Sequence, residues 1–220
     1  SGSSLTIAGV NSETFTATGS GTLSSTNVQT NQALSSVGTL SLTGVGGAST
    51  GNYNTLTTSQ TSVSVTAAPI TISTSNVTKN YNGSLTAVGT ATVTSGTLYT
   101  NVSNGDALDS LSGGTFAFTN ANAGTGNKTV TVSGVTVNDG NSGNNYAVTY
   151  ANNITSTINK ADLTVTGVTN NVTYNASAQT NSGAIVSGRQ GSDAFTVTGY
   201  ATGTNAATYN DNLSATSAAE

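Results

Sequence analysis

Thr129-Val130-Thr131-Val132-Ser133-Gly134-Val135-Thr136-Val137 is the stretch that decides the fold. Valine alternates with a hydroxyl residue, so a strand made of it has one apolar face and one wet face. Val130 and Val132 share one parity, and after Gly134 the parity passes to Val135 and Val137. A phase flip at a glycine within such a run marks a β-bulge or a strand bend. Similar flips are read at Gly44, between Leu42 and Val45, and at Gly167, between Val165 and Val168. The same period-two pattern recurs in Ser62-Val63-Ser64-Val65-Thr66, Ile70-Thr71-Ile72, Leu163-Thr164-Val165-Thr166 and Phe195-Thr196-Val197-Thr198. Glycine and asparagine clusters separate these runs, as turns require. No helical period holds over ten residues. The chain is predicted to be all-β.

The sequence also nearly repeats itself at a spacing of 93 residues. Tyr53 finds its counterpart in Tyr146, and Ala68-Pro69-Ile70-Thr71-Ile72 in Ala161-Asp162-Leu163-Thr164-Val165. Gly21-Thr22-Leu23 lines up with Gly114-Thr115-Phe116, and Tyr81-Asn82-Gly83-Ser84 with Tyr174-Asn175-Ala176-Ser177. A fixed period of this size implies an array of similar modules, each near the size of a small β-sandwich. One complete module is expected at 70–161. An incomplete one at 1–69 lacks its opening strands, and another at 162–220 lacks its closing strands. Either the chain is an excerpt of a longer array, or it is a polymerising subunit whose copies complete each other head to tail by strand addition at open edges.

Charged residues make up 5% of the chain, against about 25% in ordinary globular proteins. The surface must then consist of Thr, Ser, Asn and Gly. Four basic residues and a net charge of −4 leave no footprint for nucleic acid or for an anionic membrane. No apolar run is long enough to span a membrane, and no signal peptide is visible. The absence of Cys rules out disulfides, and the absence of His removes the usual base for nucleophilic catalysis. Low charge, no Cys and abundant Thr, Asn and Gly match secreted and surface repeat proteins.

Few constellations could carry chemistry. Asp106 and Asp109 form the only close acid pair, and Glu13 and Asp193 recur at the position of Asp106, which reads as a turn-capping role. Asn138-Asp139-Gly140-Asn141-Ser142-Gly143-Asn144 is an oxygen-rich loop, so Asp139 is a candidate calcium ligand. One carboxylate falls short of a tight site, and an Asx-turn is the plainer reading. No cofactor is expected. Lys79, Lys128 and Lys160 lie among asparagines, where an isopeptide crosslink would need a nearby acid in an apolar core. Sequons place possible glycosylation at Asn76, Asn82, Asn101, Asn127, Asn153, Asn171, Asn175 and Asn212. The periodic tyrosines Tyr53, Tyr146, Tyr81 and Tyr174 read as core or tyrosine-corner residues.

The segment Asn76-Val77-Thr78-Lys79-Asn80-Tyr81-Asn82-Gly83 resembles the opening signature of YDG-type repeats, with Asn82 where that signature has Asp. The stretch from Asn120 to Val135 is similar to the centre of the same repeats, Asn145-Tyr146-Ala147-Val148 to one of their strands, and Ile158–Val165 to their linker. Tyr174-Asn175-Ala176 and Asn205-Ala206-Ala207-Thr208-Tyr209 resemble the sister MBG-type repeat. The resemblance implies a region of a large bacterial filamentous-haemagglutinin-like adhesin, secreted or attached to the cell surface.

The expectation is therefore of tandem immunoglobulin-like β-sandwich modules in a rod or filament, with β-grasp-like modules as the alternative. The expected role is a structural, non-catalytic extracellular stalk serving adhesion, cell–cell contact or a biofilm matrix. Its expected partners are identical copies and surface glycans. The rival reading is a carbohydrate-binding or ice-binding β-sandwich module.

Overall fold

The computed structural model describes residues 4–59, 61–99 and 108–217. The chain is all-β with several sheets, consistent with a β-sandwich. Among the described residues the only helical segments are two three-residue 3-10 turns, at Val10–Ser12 and Thr50–Asn52. A β-grasp module, which packs a helix on its sheet, finds no such helix among the described residues. No helix among the described residues is long and apolar enough to cross a membrane.

The chain divides into two compact units. The first comprises Ser1–Thr71, Val93–Ser112 and Thr136–Thr149. In it, β1 (Leu5–Ala8), β2 (Thr14–Thr18) and β4 (Ser41–Val45) form an antiparallel sheet with β2 in the centre. Its register runs from Leu5 opposite Ala17 to Ala8 opposite Thr14, and from Thr14 opposite Val45 to Thr18 opposite Ser41. Phe15 on β2 is 3% exposed and meets the Tyr53 ring edge-on at 4.9 Å. β3 (Gln29–Gln32) pairs antiparallel with β5 (Val63–Val65). A three-stranded sheet has most of its residues in this unit. It orders β11 (Tyr146–Tyr150), β6 (Ala68–Thr74) and β8 (Ala91–Ser95) with β6 central.

The second unit comprises Ile72–Thr92, Gly113–Val135 and Tyr150–Glu220. Its main sheet has the order β7 (Thr78–Asn80), β12 (Asn153–Asn159), β10 (Gly124–Asn138), β9 (Ser110–Phe118). β12 runs antiparallel to β10, with register shifts on either side of Lys128, and parallel to β7. Val77, Ala87, Phe118, Val130 and Ile158 close into one buried cluster, with Tyr81 and Phe116 packed against it. Ser156 is fully buried and fully used: its Oγ accepts the Val77 N–H at 3.0 Å and donates to Asn153 Oδ1 at 2.8 Å. A buried hydroxyl without such partners would cost stability. The rest of this unit is three two-stranded ladders. β13 (Thr164–Gly167) pairs with β15 (Ala184–Ser187), β14 (Gln179–Thr180) with β17 (Thr202–Gly203), and β16 (Phe195–Thr198) with β18 (Ser214–Ser217), all antiparallel.

Burial is concentrated in one part of the chain. Of the fifteen buried residues described, fourteen lie between Ile70 and Ile158, and the fifteenth is Phe15. None lies in residues 162–217.

The glycine flips separate on inspection. At Gly134 the backbone is left-handed (φ 63°), and Val130, Val132, Val135 and Val137 are all buried. The flip keeps four valines inward across a point where strict alternation would turn two of them to solvent. Gly44 does something else. Its φ is not positive, Val45 after it is exposed, and a Cβ there would collide with the carbonyl of Ala48. Close backbone approach, not a change of phase, requires glycine at that point. Gly167 likewise has no positive φ, and a Cβ would press on Asp211 Oδ2.

Candidate functional site

Two tyrosines 93 positions apart sit in the same arrangement. The Tyr53 hydroxyl donates to Glu13 Oε2 and accepts the backbone N–H of Val10 at 3.0 Å. The Tyr146 hydroxyl donates to Asp109 Oδ2 and accepts the backbone N–H of Tyr99 at 2.9 Å. In both, the phenol bridges a carboxylate and a loop amide, which ties a distant loop to the tyrosine's segment. The Glu13 hydrogen bond raises the Tyr53 pKa, with burial adding to it. Burial first, and then the Asp109 hydrogen bond, push Tyr146 up to about 12. Glu13 thus accepts from a tyrosine rather than capping a turn, which corrects the turn-capping reading for that residue. Asp193 does the same, accepting from the Tyr81 hydroxyl at 3.1 Å.

The sequence singled out Asp109 only as half of an acid pair with Asp106, and did not single out Tyr99 at all. Glu13 lies 40 residues from its tyrosine and Asp109 lies 37 from its own, so the repeat aligned Glu13 with Asp106 instead. Asp106 and the sequon Asn101 lie outside the described residues. The periodic pair Tyr81 and Tyr174 also diverges. Tyr81 packs against the buried cluster, whereas Tyr174 is 61% exposed and is neither core nor corner.

Asp139 closes its own loop. Oδ1 accepts the N–H groups of Asn141 at 2.8 Å and Gly143 at 2.7 Å, and Oδ2 accepts that of Asn145 at 2.9 Å. Burial pushes its pKa up, but the bonds from Gly143, Asn145 and Asn141 outweigh this and hold the carboxyl below its usual value. Asn145, which follows, donates from Nδ2 to Asn27 Oδ1 and accepts the Val28 N–H, both at 2.9 Å. These groups line an open cleft of about 1080 Å³ in the first unit, together with Asp109 and Tyr146. Both carboxylates in it already accept hydrogen bonds from the protein. Among the described residues no group of three or more His, Cys, Asp or Glu gathers to hold a metal ion.

Lys79 acts as a staple. Its Nζ donates to Asn82 Oδ1 at 2.9 Å, to the Ser84 carbonyl and to the Thr86 carbonyl at 3.2 Å, and lies 5.3 Å from the centre of the Phe118 ring. The ammonium thus gathers the turn after β7 onto the core, and burial lowers its pKa. No carboxylate is among its hydrogen-bond partners, and Asn82 is only three residues away. A crosslink there would close a small local loop and add no tensile strength. Lys128 Nζ donates to Asn120 Oδ1 at 3.1 Å.

The sequons differ in the state of Nδ2, the atom through which a sugar would be attached. In Asn153 that atom donates to the Thr74 carbonyl at 3.1 Å and to Asn76 Oδ1 at 2.8 Å, and since a glycan replaces one of its two hydrogens, attachment there would break at least one of these bonds. Asn76 Oδ1 also accepts from Thr155 Oγ1 at 2.7 Å. Asn82 and Asn175, 93 positions apart, are exposed and form the same turn. Ser84 N–H donates to Asn82 Oδ1 at 3.1 Å, and Ser177 N–H to Asn175 Oδ1 at 3.0 Å. Asn127, Asn171 and Asn212 are exposed.

No curated protein and no solved structure matches the chain. Residues 66–154 match the YDG domain family. The match covers less than half of the chain, and it coincides with the segment that carries nearly all of the buried residues. A YDG domain is found at residues 66–154.

Proposed function

We propose that the chain is a structural, non-catalytic part of an extracellular bacterial filament or adhesin stalk. In this reading immunoglobulin-like β modules stand in series: 70–161 is complete, 1–69 and 162–220 are incomplete, and the whole belongs to a filamentous-haemagglutinin-like adhesin serving adhesion, cell–cell contact or a biofilm matrix. The observation that carries it is the distribution of burial. The middle segment has a core, while the flanks bury almost nothing: Phe15 is the one buried residue described before Ile70, and none is described after Ile158, so apolar residues such as Leu5 and Val45 on one side and Ile185 on the other have no described core to enter. Strands with an uncovered apolar face need a neighbour to bury it. Identical copies joined head to tail, or further modules of a longer chain, would supply that neighbour. The tyrosine–carboxylate–amide arrangement found twice, with its tyrosines 93 residues apart, supports a module that was duplicated.

Electron microscopy of the purified chain, with sedimentation velocity over a hundredfold range of concentration, tests this. Continuous fibres, or concentration-dependent oligomers, are expected. A species that stays monomeric and unextended at every concentration would sink the reading.

A further inference from the structure

The second unit holds a pocket of about 380 Å³ whose wall brings together charged side chains in a chain where they are sparse. Lys160 and Arg189, two of the four basic residues in the sequence, both line it. Neither has a hydrogen bond or an ion pair among the described residues. The pocket's one acid, Asp193, accepts from the Tyr81 hydroxyl at 3.1 Å. Tyr81 and Phe195, both half-buried, supply aromatic wall, and Asn122 supplies a side-chain amide. These residues come from five separate places in the sequence. Tyr81 follows β7, Asn122 lies between β9 and β10, Lys160 follows β12, Arg189 follows β15, and Asp193 lies just before β16, which Phe195 opens.

We propose that this pocket binds a carboxylate-bearing sugar, a uronic or sialic acid residue of a glycan. The planar guanidinium of Arg189 and the ammonium of Lys160 suit a carboxylate. Tyr81 and Phe195 offer aromatic faces, whose negative quadrupole attracts the C–H groups of a pyranose ring. The Asn122 amide and the Tyr81–Asp193 pair can meet ring hydroxyls. The volume lies in the lower range of small-molecule pockets, enough for one or two sugar rings. An inorganic anion would leave the aromatic wall idle, and a neutral sugar would leave two cations unneutralised. The proposal stands apart from the stalk reading, because the pocket lies within a single chain whether or not copies join.

The test is a titration of the 15N-labelled chain followed by NMR. D-glucuronate and N-acetylneuraminate are the probes. Methyl β-D-glucoside, acetate and N-acetyl-aspartate amide are the comparisons. Both acidic sugars are expected to shift the amides of Ala161, Gly188, Arg189 and Phe195 with dissociation constants on the order of millimolar. Arg189→Gln and Lys160→Gln are each expected to weaken binding about tenfold or more, with the rest of the spectrum unchanged. No shift by about 50 mM of either sugar overturns the proposal. So does binding of the neutral glucoside, acetate or the aspartate amide as tight as that of the acidic sugars, or a full response in both variants. The absence of fibres by microscopy would leave this result untouched, so the two readings fail separately.

Discussion

Residues 66–161 and residues 162–217 use the same vocabulary of alternating Val, Thr and Ser, yet only the first makes a core. In the first, β10 runs for 15 residues, pairs within a four-stranded sheet and buries four valines. In the second, strands of two to four residues form two-stranded ladders, and no described residue is buried. Alternation makes a strand possible; it does not supply the second surface against which the apolar face packs. Two-stranded ladders are marginal alone, and wider sheets that close over a hydrophobic face are not. The lesson for repeat sequences is that a module is defined by what it buries rather than by how well its letters align.

The sharpest way to break this contrast is to truncate matched side chains. Phe118→Ala should cost about 3–5 kcal/mol in urea unfolding, and Ile158→Ala about 2–5 kcal/mol. Ile185, on β15, is 62% exposed, and Ile185→Ala should change stability by no more than about 0.5 kcal/mol. Equal costs on both sides would mean that the 162–217 ladders have a core after all.

The tyrosine bridges sharpen it next. Tyr146→Phe removes a donor to Asp109 and an acceptor for the Tyr99 amide, at a cost of about 1.5–3 kcal/mol. Tyr53→Phe removes the equivalent bonds at a more exposed place, and its loss should be clearly smaller. The same side chain sets a pH dependence. The folded-state pKa of Tyr146 lies near 12, above the ordinary 10.0, so the stability it contributes is complete below pH 10 and disappears as pH rises through about 12. A urea midpoint followed from pH 9 to 12 should fall, and should fall less in Tyr146→Phe. Matching slopes in the two proteins would remove Tyr146 as the cause.

Hydrogen exchange gives a finer view without altering the chain. Amides of Val130, Val132, Val135 and Val137 should exchange near the rate of global unfolding, while those of β13–β18 should exchange through local opening well before it. Uniform protection along the chain would erase the distinction between the two regions.

Local physics made part of this readable in advance. Period-two alternation requires only that neighbouring side chains point to opposite faces, so the all-β class and the strands at Val63–Val65, Ile70–Ile72 and Phe195–Thr198 were visible in the letters. The flip at Gly134 was visible too, because a left-handed residue within a strand costs every side chain but glycine. The resemblance of the Tyr81-Asn82-Gly83 neighbourhood and of the Asn120–Val135 stretch to YDG-type repeats placed the domain that was found. At Gly44 the same letter was misread, because the Ala48 carbonyl that excludes a side chain there is brought close only by the fold.

What the sequence determined by itself is thus the backbone state, which follows from interactions between residues close in the chain; the approximate place of the YDG domain came from the resemblance of its motifs to that family's repeats. Tertiary structure alone decided which tyrosines are buried, that Asp109 serves Tyr146, that Asn153 spends its amide on Thr74 and Asn76, and that Lys160 and Arg189 line one pocket. Each of these depends on contacts spanning tens of residues. Their energy comes from desolvation and hydrogen-bond geometry at the point of packing, and a period in the sequence carries no record of either.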